Sequence, residues 1–251
     1  VKLTVLGCSG SLPGPTSAAS AYLVEADGAR IVVDLGNGGL RELQRHVDYE
    51  GLDGVEAVLI SHLHPDHFMD LCGYYVALRY GPKRPRRRVP VWGPANTAER
   101  LTTAYGEVPD PGMSEEFDFH AYPDEEFDVG PLTVRVARVA HPVPAYAIRL
   151  EHAGRALVYS GDTGPTPALA ELARGADLFL CESAFREGDD NPPDLHMTGR
   201  QAGEHAAEAG VSRLVITHVP PWGDPEHAVT EARAVYDGPV QAASPGATWE
   251  V

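Results

Sequence analysis

The stretch that decides the fold runs Ala57-Val58-Leu59-Ile60-Ser61-His62-Leu63-His64-Pro65-Asp66-His67. Residues 57–61 form a short apolar run of the kind that makes a buried strand. Three histidines and an aspartate follow at once, and functional side chains are commonly displayed where a strand gives way to a loop. In an extended segment, residues two apart project to the same side, so His62 and His64 can chelate one cation together. Pro65 holds the residue before it extended, and a helix is expected beyond. Asp66 and His67 are adjacent, point differently, and can serve a second cation. Imidazole nitrogen mixed with carboxylate oxygen suits zinc, with manganese or iron as alternative occupants.

That segment alone supplies too few donors for two ions, so the rest must come from other strand ends. His141 ends the apolar run 132–140, Asp162 follows 156–160 inside Gly161-Asp162-Thr163-Gly164, and His218 follows 213–217. Each is among the first polar residues after an apolar strand. The expected assignment gives one ion His62, His64 and His141. The other takes Asp66, His67 and His218, and Asp162 bridges the two. Cations roughly 3.5–4 Å apart acidify a shared water and clamp the attacking and departing oxygens. A lone loop histidine is ordinarily structural, and His46, His120, His152, His205 and His227 are read that way.

Strand-like runs recur at 3–6, 21–25, 31–34, 57–61, 89–92, 132–140, 147–151, 156–160, 177–181 and 213–217. Helix signals lie between the later ones. Thr166-Pro167 opens a helix that Gly175 stops. Thr198 and Gln201 form a capping-box pattern ahead of an Ala-rich helix ending at Gly210. Asp224-Pro225 opens another, expected to run to Asp237-Gly238. No linker separates the halves. The expected architecture is one α/β domain over residues 1–251, with two mixed β-sheets and helices on the outer faces.

The bulk properties narrow the function. The 251 residues are 43% apolar and 22% charged, and the net charge of −16 repels nucleic acids and anionic membranes. No apolar run reaches the ~18 residues of a membrane span. The first seven residues read as a strand entering a turn rather than a signal peptide. Cys8, Cys72 and Cys181 are too few and too scattered for a disulfide framework, which points to the cytoplasm. Against the acidic background, residues 79–88 hold Arg79, Lys83, Arg84, Arg86, Arg87 and Arg88, either a solvated loop or a phosphate-docking lip. The run Phe68, Met69, Leu71, Tyr74, Tyr75, Val76, Leu78, Tyr80 is rich enough to line the core and also to meet a partner in a homodimer.

These motifs resemble the metallo-β-lactamase superfamily and, within it, the ribonuclease Z-like branch. His62 to His67 matches the superfamily signature. His141, Gly161-Asp162-Thr163 and His218 match the remaining ligand motifs in order. Gly7-Cys8-Ser9-Gly10-Ser11 is similar to the branch's opening glycine turn, and Asp34-Leu35-Gly36 to its D-x-G strand end. Cys181-Glu182-Ser183-Ala184-Phe185 resembles its H-E-A-T-F segment, with Cys181 in place of His. His196-Met197-Thr198 resembles its H-S-T segment. The resemblance implies a metallo-β-lactamase αββα sandwich carrying two zinc ions. It further implies that His196 reaches the scissile phosphate and that Glu182 orients it. Asp66 is expected to hold the attacking water and accept its proton.

Two departures bear on the substrate. Only residues 142–161 separate the His141 and Asp162 motifs, which leaves no room for the transfer-RNA-binding arm of the processing enzymes. Val219-Pro220-Pro221-Trp222 follows His218 where the family has Ser and an Arg-Tyr pair. The expected substrate is therefore a cyclic nucleotide or short nucleic-acid phosphodiester. The alternatives are longer RNA, or a thioester, lactone or β-lactam. A redox di-iron enzyme is disfavoured by His64, where that branch carries Glu.

Overall fold

The computed structural model describes residues 1–47, 52–82, 87–108 and 110–251. In chain order the first half builds one sheet from β1 (Lys2–Ser9), β2 (Ala18–Ala19), β3 (Ala21–Ala26), β4 (Ala29–Leu35), β5 (Ala57–Leu59), β6 (Val89–Gly93) and β7 (Phe117–Ala121). The second half builds another from β8 (Phe127–Val129), β9 (Leu132–Arg138), β10 (Tyr146–His152), β11 (Arg155–Tyr159), β12 (Leu178–Glu182), β13 (Leu214–Thr217) and β14 (Val240–Ala242). The last strand, β15 (Thr248–Glu250), returns to the first sheet and pairs antiparallel with β1.

Both sheets repeat one pairing order. Across the first, β15-β1-β3-β4 pair antiparallel and β4-β5-β6-β7 parallel. Across the second, β8-β9-β10-β11 pair antiparallel and β11-β12-β13-β14 parallel. Every strand foreseen from sequence is present. The ones not foreseen include β7, β8, β14 and β15, which are the four sheet edges.

Alternation along the strands shows why the sheets stack. Leu3, Val5, Tyr22, Val24, Ile31 and Val33 pack inward against Leu150, Leu157, Tyr159, Leu178 and Val215 of the other sheet. Their neighbours Leu6, Leu23 and Val32 face outward onto α1 (Gly39–Val47) and α3 (Leu71–Tyr80). On the opposite outer face, Val158, Phe179, Leu214 and Ile216 meet α5 (Pro167–Ala173), α6 (Gly199–Ala209) and α7 (Pro225–Arg233). Side chains two apart share a face, and strands apolar on both faces must be covered on both. The result is the expected αββα sandwich. The remaining helices are α2 (Pro65–Phe68) and α4 (Thr97–Tyr105). Among the described residues no helix is long and apolar enough to cross a membrane.

The helix signals hold unevenly. Thr198 and Gln201 form the capping box, and Gly210 closes α6 in the left-handed conformation. Asp224 caps α7, accepting from the Glu226 amide at 3.0 Å. That helix stops at Arg233, short of Asp237-Gly238. Thr166 makes no side-chain cap; its backbone amide is instead 3.2 Å from Nε2 of His205, a buried structural histidine.

The run from Phe68 to Tyr80 divides by helical face. Phe68, Leu71, Tyr74, Tyr75 and Leu78 enter the core, while Val76 and Tyr80 are exposed. The described arginines of residues 79–88 are each engaged. Arg79 binds Glu115 and Glu116, Arg87 binds Glu56, and Arg88 binds Asp118. Lys83, Arg84 and Arg86 lie outside the described residues.

One glycine sets the spacing between β4 and the histidine segment. A Cβ on Gly36 would stand 1.9 Å from the Asp66 carbonyl oxygen. Gly36→Ala must push the Asp66 backbone away. The expected cost is about 1–3 kcal/mol of stability, measured by urea unfolding. Wild-type stability in that variant would show that the two segments are not tightly apposed.

Candidate metal centre

Strand direction brings the site together. The strands β11, β12 and β13 run parallel, and β9 runs the same way because two antiparallel pairings separate it from β11. Their carboxyl ends share one edge of the sheet, which delivers His141, Asp162, Glu182 and His218 to one place. The ends of β4 and β5 deliver Asp34 and Ser61-His62 from the other sheet. Ligand crevices at the carboxyl ends of parallel strands follow the same geometry.

Two clusters of donor atoms result. His64 Nδ1 lies 3.1 Å from both His62 Nε2 and His141 Nε2. The segment before Pro65 is extended at His64, with φ −79° and ψ 146°, so the imidazoles of His62 and His64 converge. Asp66 and His67 sit on the first turn of α2. His67 Nε2 is 3.4 Å from Asp66 Oδ2 and 3.2 Å from Asp162 Oδ2. His218 Nε2 is 3.1 Å from Asp162 Oδ2 and 3.8 Å from Asp66 Oδ2. Asp162 Oδ2 is also 3.7 Å from His62 Nε2 and so stands between the clusters.

The outer nitrogens of the rings are anchored, which directs the inner ones. His141 Nδ1 donates to the Leu195 carbonyl at 2.9 Å. His67 Nδ1 meets the Asp34 carboxylate at 2.7 Å. His62 Nδ1 lies 3.1 Å from Ser61 Oγ, and His218 Nδ1 2.9 Å from Ser20 Oγ. A ring that donates through Nδ1 presents a bare lone pair at Nε2. Asp34 is the hub. Besides His67, it accepts from the Ser61 amide at 2.7 Å, Ser61 Oγ at 2.7 Å and Tyr159 Oη at 2.9 Å. The backbone adopts the left-handed conformation at Asp34 (φ 53°) and His218 (φ 57°). Strain of this kind persists where surrounding contacts hold it.

The donor set fits metal ions. Buried polar atoms are normally hydrogen-bonded. Asp66 Oδ2, His67 Nε2, Asp162 Oδ1 and His218 Nε2 are buried with no such partner, four of the eight such side-chain atoms among the described residues. Burial opposes the Asp162 charge, but the imidazoles of His218, His67 and His62 hold its carboxyl well below the usual carboxylate range. The acidic character and the bare lone pairs together make a pocket of acceptors that a cation completes. None of His46, His120, His152, His205 and His227 joins either cluster.

A further pair stands beside the clusters. Glu182 is fully buried and accepts from the Thr163 amide at 2.8 Å and the Ala184 amide at 3.1 Å. Its Oε1 also receives His196 Nδ1 at 2.9 Å, and that nitrogen is 4.0 Å from Asp162 Oδ2. Burial works against a charged His196. The Glu182 carboxylate outweighs it and lifts the imidazole to about 9.

The seven expected donors and the His196–Glu182 pair thus share one location. Sequence reasoning assigned no part to Asp34, Ser20, Ser61 or Tyr159. Asp34 had a signal in Asp34-Leu35-Gly36, whereas Ser20 and Tyr159 had none, because their partners are 198 and 125 residues away.

Two outcomes test the centre. Asp34→Asn preserves size but cannot accept four donors. Metal affinity should fall roughly 10- to 100-fold, the usual loss when a ligand's orienting partner is removed; affinity equal to wild type in a chelator competition would reject the role. Stripping metal from wild-type protein should lower its thermal midpoint, because ligands that bind only the folded state stabilise it. An unchanged midpoint would mean the clusters hold no ion.

Comparison with known proteins agrees with this geometry. A profile described as the Beta-lactamase superfamily domain matches residues 29–219. The uncharacterized protein Rv1339 of Mycobacterium tuberculosis is 45% identical over 258 residues, spanning 100% of this chain and 92% of the relative. Ribonuclease Z of Mycobacterium marinum is 31% identical over 245 residues, spanning 88% and 87%. The probable metallo-hydrolase YhfI of Bacillus subtilis is 30% identical over 252 residues, spanning both chains fully. The crystal structure of YhfI, described as a metallo-β-lactamase fold protein, matches with a TM-score of 0.87 at 29% identity, over 100% of this chain and 99% of that one. The chain therefore belongs to the metallo-β-lactamase superfamily, close to its ribonuclease Z members, and is a metal-dependent hydrolase.

Proposed function

We propose that the protein is a dinuclear zinc phosphodiesterase acting on cyclic nucleotides or short nucleic-acid diesters. The observation that carries this reading is the His196–Glu182 pair poised beside Asp162. A thioester hydrolase has little need of an acid on the departing side, because a thiolate leaves unprotonated, whereas an alkoxide leaving phosphorus needs one.

His62, His64 and His141 would hold one ion and Asp66, His67 and His218 the other, with Asp162 shared. Bound there, the pair would supply Lewis acidity that activates water and neutralises phosphoryl oxygens. Asp66 orients the attacking water and takes its proton as the new O–P bond forms. His196 gives its proton to the ester oxygen as the old P–O bond breaks. Glu182 positions His196 and favours its protonated form, so the acid is charged before the alkoxide develops.

Several features favour a small substrate. The chain from Tyr146 to Tyr159 is a plain hairpin, β10 and β11 joined through Ala153 and Gly154, with no projecting arm. Arg79, Arg87 and Arg88 are already paired with carboxylates, and the net charge is −16. The three cysteines are free thiols, in keeping with a cytoplasmic setting.

The test compares a chromogenic phosphodiester with a phosphomonoester, a thioester and a β-lactam, for zinc-loaded wild type and His196→Ala. Diester turnover is expected, and kcat should fall about 10²- to 10⁴-fold in the variant while metal content is retained. Parallel loss of metal would make His196 a structural residue. Thioester or lactam turnover without diester turnover would sink the proposal.

A further inference from the structure

Beside the metal centre lies a cleft of about 410 Å³ between the loop after β12 and the loop after β13. Ser183, Phe185, Arg186 and Asn191 line it from the first loop, Val219 and Trp222 from the second. Three connections tie it to the reacting groups. Ser183 directly follows Glu182, and Val219 directly follows His218. The Phe185 ring stands edge-on to the His196 imidazole, with centroids 5.1 Å apart and planes at 88°. Through Phe185 the wall of the cleft thus reaches the His196 imidazole.

Its lining has the chemistry of a recognition surface. The Trp222 residue is 72% exposed, although a tryptophan normally hides most of its large apolar surface. Its loop is stiffened by Pro220 and Pro221 and closed by a hydrogen bond from the Gly223 amide to the Pro220 carbonyl at 2.8 Å. The indole is thus presented at little conformational cost. Ser183 is 2% exposed, and its buried Oγ has no hydrogen-bond partner. Arg186 donates through Nε to His227 Nε2 at 3.1 Å and forms no ion pair with a carboxylate among the described residues. A flat aromatic face with a hydroxyl and a guanidinium nearby suits a planar heterocycle bearing polar edges.

We infer that this cleft seats the base of the nucleoside attached to the departing oxygen, stacked on Trp222 with its polar edge toward Ser183 and Arg186. The inference rests on the phosphodiesterase reading above and assigns it a nucleotide substrate. Trp222 then acts as a specificity determinant.

The test uses binding rather than turnover, so that it stands apart from the activity assay. Adenosine 5′-monophosphate and ribose 5-phosphate are titrated calorimetrically into zinc-loaded wild type, Trp222→Ala and Trp222→Phe. Both probes carry the same phosphate, so only the base differs. Wild type should prefer the nucleotide roughly 5- to 100-fold, as base stacking on an aromatic side chain allows. Trp222→Ala should bring the two probes within about two-fold, and Trp222→Phe should restore most of the preference, measures of stacking rather than of folding. Equal affinities in wild type, or an undiminished preference in Trp222→Ala, would overturn the inference. A base preference without diester hydrolysis would leave this subsite standing and remove the phosphodiesterase reading instead. Hydrolysis without base preference would do the reverse.

Discussion

A carboxylate almost wholly removed from water needs positive charge around it, and Asp162 is 2% exposed. Leaving such a group unpaired costs several kcal/mol. Its Oδ2 lies 3.1 to 3.7 Å from the imidazole nitrogens of His218, His67 and His62. With Asp66 close by, the site gathers two carboxylates and a set of lone pairs that side chains alone do not neutralise. A bound metal ion would resolve that conflict. The rest of the fold depends on holding these donors close enough for ions to do so.

The two sheets divide that task. Each has the same sequence of antiparallel and parallel pairings, so each presents the carboxyl ends of its parallel strands at one edge. Stacking the sheets through the Tyr22, Ile31, Leu157 and Leu178 layer brings those edges together. Tyrosine hydroxyls lock the junction: Tyr22 bonds Thr217 across the sheets at 2.7 Å, and Tyr159 bonds Asp34. Left-handed backbone at Asp34 and His218 costs on the order of 1–3 kcal/mol each. Extensive apolar burial between and outside the sheets offsets it, at about 25 cal/mol per Å².

The surroundings of the clusters separate positioning from chemistry. Asp34, Ser20, Ser61 and the Leu195 carbonyl engage the outer edges of the rings and leave the inner nitrogens bare. Glu182 does the same for His196 while favouring its charged form. A buried carboxylate thus fixes the Nδ1 side of each ring, Asp34 for His67 and Glu182 for His196.

Much of this was legible along the chain because it is local. Continuous apolar runs mark strands buried on both faces, and the central strands were all foreseen for that reason. Phe117–Ala121, Phe127–Val129, Val240–Ala242 and Thr248–Glu250 were not, because edge strands are short and take their conformation from a neighbour rather than from their own pattern. Helix α7 stops at Arg233, short of its Asp237-Gly238 signal, because a turn pair marks where a helix cannot continue rather than where it ends. The sequence by itself marked the central strands and the candidate donors of His62–His67 and of the strand ends at His141, Asp162 and His218, since apolar runs and the polar residues that end them are local. Only the tertiary structure decided that Asp34 clamps His67, that Ser20 orients His218 and that Trp222 overlooks a cleft beside His196. Those relations join residues far apart in the chain, and hydrogen-bond geometry and exposure exist only once the sheets have stacked.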